Sequence, residues 1–463
     1  MFAPDTYAAR RRATAEIVSD GLIVVLGNAP APMNYRANVY PFRQDGTFLY
    51  LTGLDEPGLA LTLDAATGEA TLYGSDPTME DRVWEGDRPS MRDHAAGAGA
   101  DAVAAPEKLA DAIRAAQDAG QAVHVLPPYR GEQTLRLAEL LGVPHEEVSP
   151  SEALIDAVVT QRLVKTDEEV AEIEVALEIA AEMHALAMRM AQPGRTEHEI
   201  AAQMEAVALA HGSFPSFPII LTVRGEVPHH HATGYALREG DLLLHDAGAV
   251  APVSRYCADI TRCSPVGGTF SERQRAIYQL VLDAQERCIA ACAPGVSFRD
   301  VHDLASRTIA SGLVELGLLR GDVDEIVAAG AHALFFHHGL GHAMGLDVHD
   351  MEGLGEERVG YAGEATRSEQ FGTAYLRFAR ALQPGHVMTV EPGVYFNEAL
   401  ISQWRDEGRH ASMVDYDEAM RWIGFGGVRI EDDIVITSAG HRVLGPAIPK
   451  QIKDVGAAVQ AAA

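Results

Sequence analysis

Acids set inside apolar strands constrain this chain more than any other feature. Leu242-Leu243-Leu244-His245-Asp246-Ala247-Gly248-Ala249 is an apolar run ending in an acid and a small-residue turn. Thirteen positions past Asp246, Tyr256-Cys257-Ala258-Asp259-Ile260-Thr261-Arg262 sets a second acid in strand-like sequence. Two acids on paired strands of a hairpin can face the same side. Carboxylates that close repel unless a cation joins them. A single such Asp reads as a surface residue on an edge strand; apolar neighbours around both make that reading costly.

Further along comes Phe336-His337-His338-Gly339-Leu340-Gly341-His342-Ala343-Met344-Gly345-Leu346-Asp347-Val348-His349-Asp350. With His332, five histidines fall in an 18-residue window. A lone histidine is usually a core or surface residue, whereas a run among glycines and apolar residues favours a metal or proton-transfer site. Met388-Thr389-Val390-Glu391-Pro392-Gly393-Val394-Tyr395 carries one acid just before a Pro-Gly break. Gly427-Val428-Arg429-Ile430-Glu431-Asp432-Asp433-Ile434-Val435-Ile436 reads as one strand with Arg429 and Glu431 on the same face. Each segment alone is weak evidence. Together, four carboxylates and one imidazole suit two divalent ions of hard or borderline type. Two such ions can bridge a water, lower its pKa and polarise a carbonyl, which is chemistry for hydrolysing an amide.

The rest of the chain frames this constellation. In about the first 150 residues, apolar runs at 21–27, 48–51, 59–63, 70–73 and 122–126 read as strands, and 107–119 as a helix, giving an α/β layer. A short helix opens after Ser149-Pro150-Ser151. Capping boxes stand at Thr166/Glu169, Thr196/Glu199 and Ser271/Gln274. An apolar stripe from Val170 to Ala187 continues the first of these until Pro193-Gly194. The final seven residues read as frayed.

The 37 basic and 66 acidic residues leave a net charge of −29, which argues against nucleic-acid binding and against anionic membrane surfaces. No run of about 18 apolar residues suggests a membrane span. The arginines at 10–12 are not followed by a signal-like apolar run, so a cytoplasmic location is expected. The four cysteines, Cys257, Cys263, Cys288 and Cys292, form no CxxC pair and read as buried free thiols.

In this order, HDAG, ADIT, HGLGHAMGLDVHD, TVEPGVYF and GVRIEDD resemble the motifs of the pita-bread metallopeptidases that cleave Xaa-Pro bonds, prolidase and aminopeptidase P. Tyr40-Pro41-Phe42-Arg43-Gln44-Asp45 and Leu51-Thr52-Gly53-Leu54-Asp55-Glu56-Pro57 resemble the family's non-catalytic domain. The resemblance implies an α/β N-terminal domain over 1–160 and an α+β pita-bread catalytic domain over 161–463. It implies that Asp246, Asp259, His342, Glu391 and Glu431 hold two metal ions, with Asp259 and Glu431 bridging. Mn2+ is expected; Zn2+ and Co2+ also fit. Glu391 would be general base for the metal-bridging water, giving the bridging hydroxide that attacks. His338 and His349 match histidines around the site and the substrate, and Arg429 an arginine beside the last ligand. His229 falls near the scissile carbonyl, with the register among His229, His230 and His231 left open. The spacing from Asp246 to Asp259 is roughly two residues longer than in most of the family, which keeps both acids on one face.

Arg377, in Tyr375-Leu376-Arg377-Phe378-Ala379-Arg380-Ala381-Leu382, falls where prolidases hold the free carboxylate of a dipeptide. A guanidinium reads such a group through two parallel bonds. The insertion from Asn397 to Gly426 also resembles prolidases. A prolidase acting on short proline-containing peptides, as a homodimer or homotetramer, is therefore favoured. An aminopeptidase P trimming longer Xaa-Pro peptides is the alternative. A metal-free binding module of the same fold is a remoter one, since all five ligand positions hold competent residues.

Overall fold

The computed structural model describes residues 2–461. Two compact units result: Met1–Arg162 with Met351–Val359, and Leu163–Asp350 with Gly360–Ala463. The first break between the units follows Arg162, near the end of the Glu152–Leu163 helix.

The first unit is built on a five-stranded mixed sheet. Its spatial order is Ala102–Ala104, Ala70–Tyr73, Ala60–Asp64, Leu22–Leu26 and Val123–His124. Val24, Leu26, Ala60, Tyr73, Leu109, Ile113, Val125 and Leu137 form one core between this sheet and the helices Lys108–Asp118 and Gly131–Leu141. Each large apolar side chain buried there contributes about 1.5–3 kcal/mol. One expected strand is a helix. Phe48–Leu51 lies within Gly46–Thr52, which Asp45 caps by accepting from the Phe48 amide at 2.8 Å and Gly53 closes. All seven residues of that helix are buried, so no polar face betrays the helical period.

The second unit carries long helices around small antiparallel sheets. Thr166, Thr196 and Ser271 each make the reciprocal capping box expected of them, opening Asp167–Met190, Glu197–Ala210 and Glu272–Ala291. One three-stranded sheet orders Ile260–Pro265, Leu242–Ala247 and Ile220–Thr222; another orders Val387–Val390, Asp432–Thr437 and Gly440–Val443. The segment 427–436, read as one strand, is two. Gly427–Arg429 pairs with Gly393–Tyr395, and Asp432–Thr437 with Val387–Val390, so the chain changes partner at Ile430 and Glu431. The C-terminal residues are not frayed over their described part. They form the helix Ile452–Gln460, whose Val455 and Val459 are buried at helical spacing; residues 462 and 463 lie outside the described part.

No helix among the described residues is long and apolar enough to cross a membrane. All four cysteines are free and buried, and burial pushes the Cys263 thiol up to about 12.

Candidate metal centre

Asp246 and Asp259 share one face of a hairpin. Asp246 lies opposite Thr261, and Asp259 is two residues before Thr261, so alternation aligns all three. The same register continues past both acids to the Val250–Cys257 bridge, where Ala251 N donates to Tyr256 O at 2.7 Å. The long spacing is thus taken up by the turn at 252–255, without a bulge.

Glu391 and His342 come from segments that hold each other. His342 N donates to Thr389 Oγ1 at 3.0 Å, Thr389 N to His342 O at 3.0 Å, and Glu391 N to Leu340 O at 2.8 Å. Gly341 allows this approach: a Cβ there would lie 2.1 Å from the Thr389 carbonyl oxygen. Glu431 stands where the chain changes sheets. Its N–H donates to Thr261 O at 3.1 Å, and its carboxylate accepts from Thr261 Oγ1 at 2.6 Å.

Asp259, His342 and Glu431 each bring one ligand atom within 4.8 Å of the others. His342 Nε2 lies 3.5 Å from Asp259 Oδ2 and 3.7 Å from Glu391 Oε1. The other ring nitrogen, Nδ1, donates to Ala343 O at 3.1 Å, which leaves the Nε2 lone pair facing the acids. Asp246 joins the group beside Arg429, which pairs with its Oδ2. Asp246 Oδ1 and Asp259 Oδ1 are buried and reached by no donor among the described residues.

Charge makes the same point. Burial lifts Asp259 well above the usual carboxylate range, and Asp246 adds to the rise. Burial also lifts Glu431, with Asp259 and Glu391 adding. Glu391 is raised by burial to about 8, although Arg429 and Arg377 pull it down. Burial opposes the Arg429 charge, but Tyr395, Asp246, Glu391 and Glu431 outweigh it and hold the guanidinium protonated. Such carboxylates resist ionising together without a cation. Unpartnered oxygens, a directed imidazole lone pair and carboxylates that repel are the donor set that a divalent cation fits.

The histidines sit differently from one another. The His349 ring packs edge-on against that of His342, with centroids 4.2 Å apart. His229 lies close enough to Arg429, Asp246, His349 and Arg377 for all four to act on its ionisation; partial burial is the larger influence and lowers it. His230 turns instead to Thr222 Oγ1 at 3.3 Å, and His231 to Ile219 O at 3.1 Å. Both ring nitrogens of His338 are engaged: Nδ1 with Gly339 O at 2.7 Å and Nε2 with Tyr395 OH at 2.8 Å. Burial depresses its pKa strongly, so it is neutral, donating to Gly339 and accepting from Tyr395. Arg377 is near enough to Glu391 to depress its pKa.

Thr261 and Tyr395 were not singled out in the sequence. Thr261 Oγ1 accepts from Arg429 Nε at 3.0 Å while donating to Glu431. Tyr395 OH accepts from Arg429 Nη1 at 3.1 Å and links it to His338. The period-two alignment of Thr261 with Asp259 was the available signal for the first; nothing local marked the second.

Residues 171–438, which carry every one of these side chains, match metallopeptidase family M24. The chain belongs to that family. Residues 7–124 match the aminopeptidase P N-terminal domain. The chain is 32% identical over 480 residues to a Xaa-Pro aminopeptidase of Escherichia coli (strain K12), covering 98% of each. It is 32% identical over 456 residues to a Xaa-Pro dipeptidase of Homo sapiens, covering 95% of this chain and 89% of that one. Among solved structures, aminopeptidase P from E. coli with the inhibitor Pro-Leu superposes with a TM-score of 0.80 at 30% identity, covering 100% of this chain and 99% of that one. The architecture of an M24 metallopeptidase, an α/β N-terminal domain and an α+β pita-bread catalytic domain, is the one expected from the sequence.

Proposed function

We propose that this M24 enzyme is an Xaa-Pro dipeptidase that uses two divalent metal ions, Mn2+ foremost. The ions would be held by Asp246, Asp259, His342, Glu391 and Glu431, and would supply a water of lowered pKa and a polarised scissile carbonyl. Glu391 takes the proton of the attacking water and passes it to the proline nitrogen. That nitrogen is a tertiary amide nitrogen in the substrate, so it must gain a proton to leave. His349 and His229 donate N–H groups to the carbonyl oxygen as its charge develops. His338 and Arg429, joined through Tyr395, keep Asp246 and the Thr261–Glu431 pair in place.

The observation that favours a dipeptide is Arg377, charged and within electrostatic reach of Glu391 and His229. A free C-terminal carboxylate pairs with that guanidinium; the amide of a longer peptide forfeits the pairing. The relatives include both dipeptidase and aminopeptidase names, so substrate length is the test. Turnover of Ala-Pro and Ala-Pro-Ala is compared on metal-stripped protein resupplied with Mn2+. Cleavage of the dipeptide alone supports the proposal. Equal or faster tripeptide cleavage makes the chain an aminopeptidase and Arg377 a structural residue.

A further inference from the structure

Between Asn397 and Gly426 the chain forms two helices, Glu398–Asp406 and Tyr416–Arg421. The first delivers Trp404, 1% exposed, edge-on to Phe371 with ring centroids 5.6 Å apart. The Arg409 guanidinium lies 4.0 Å over the Trp404 ring and 5.8 Å from that of Phe371. A cation over two such rings is attracted by both, more strongly as it is shielded from water. Tyr416 OH fixes this arrangement by donating to Arg409 O.

Phe371 begins a tight turn that ends at Leu376, one residue before Arg377. Its ring meets Tyr375 at 6.0 Å. Ala374 N donates to Gln370 O at 2.8 Å and Leu376 N to Thr373 O at 3.0 Å. Arg367 Nη1 donates to Ala374 O at 3.1 Å and Tyr361 OH to Leu376 O at 2.7 Å. The turn is therefore held by two sets of contacts, hydrogen bonds from Arg367 and Tyr361 to its backbone and ring contacts of Trp404 and Arg409 with Phe371.

We propose that the 397–426 insertion is a specificity element: Trp404 and Arg409 clamp the Phe371 turn and so hold Arg377 where it reads the free carboxylate of a dipeptide. The inference rests on the dipeptidase reading above. Two-bond recognition of a carboxylate tolerates misplacement of only about 0.5 Å or 10–20°. A guanidinium at the end of a long side chain meets that limit only if its backbone is fixed. Trp404 and Arg409 are thus positioning residues that act through Phe371. The bland reading is that the insertion only completes an aromatic core, in which Phe396 and Trp422 stack at 4.9 Å. Loss of such a core costs stability on every substrate alike.

The experiment compares Ala-Pro with its C-terminal amide, Ala-Pro-NH2, on the full-length Mn2+-loaded protein and three variants. Trp404→Ala should raise KM for Ala-Pro about tenfold with kcat within about twofold, and leave kcat/KM for the amide unchanged. Trp404→Phe should restore most of the discrimination. Arg409→Gln leaves the buried aromatic core intact and should lower the ratio between the two substrates about threefold; it decides the matter if Trp404→Ala fails to fold. Equal losses on both substrates, or an unchanged ratio in Arg409→Gln, would overturn the inference while leaving the dipeptidase reading standing. A wild-type protein that cleaves the amide as well as the free acid would overturn that reading, and this inference with it.

Discussion

Removing metal should make the stability of this protein depend on pH in a direction set by Glu391. In the metal-free chain its pKa is raised from 4.5 to about 8, chiefly by burial. Below about 4.5 the folded and unfolded states both hold the proton. Between 4.5 and about 8 the folded state keeps it and the unfolded state has released it, so stability falls as pH rises. Each pH unit in that window costs about 1.4 kcal/mol. From pH 5 to pH 8 the loss reaches about 4 kcal/mol, an upper figure because the side chain is 18% exposed. Glu391→Gln removes this titration and also relieves the upward push of Glu391 on Glu431 and Asp433, so both effects flatten the pH dependence in the same direction. Urea unfolding in chelator, followed by tryptophan fluorescence, measures it, since Trp404 and Trp422 are both buried in the second unit. The metal-free wild type should lose stability from pH 5 to pH 8 relative to Glu391→Gln. Adding Mn2+ should abolish the difference, because a bound cation favours the ionised carboxylate. Identical behaviour of the two metal-free proteins would refute the reasoning.

Three substitutions probe the surroundings of the acids. Thr261→Val keeps the side-chain shape but removes the donor to Glu431 and the acceptor for Arg429; Mn2+ affinity by calorimetry should fall about 10–100-fold. Tyr395→Phe strands Arg429 Nη1 and His338 Nε2, and should cost about 1–3 kcal/mol for each in urea unfolding of the metal-free protein. Gly341→Ala drives a methyl into the Thr389 carbonyl and should displace His342 and abolish metal-dependent turnover. Gly97→Ala, with open space around it in the Met91–Ala98 helix, should leave turnover unchanged.

The sequence exposed what depends on short, local rules. Thr166/Glu169 and its two counterparts declare helix starts because a capping box is complete within four residues. Asp246 and Asp259 declare a shared face because strand alternation survives an even change in turn length. Phe48–Leu51 misled because four apolar residues fit a buried helix and a buried strand equally well. The cues that separate them, the Asp45 cap and the Gly53 stop, lie outside the run. The break at Ile430 was hidden because both halves of 427–436 are strand-like, and only the choice of partner divides them. Tyr395 was invisible for a related reason. Its importance comes from Arg429 and His338, which lie 34 and 57 residues away along the chain.

The most direct test of the account is proline release from Ala-Pro by metal-stripped protein as Mn2+ is titrated back, with bound metal counted at each point. The account predicts negligible turnover without metal, recovery in step with binding, and no recovery in Glu391→Gln that has bound the same metal. Full turnover in the stripped protein, or none in the wild type with metal bound, would contradict it.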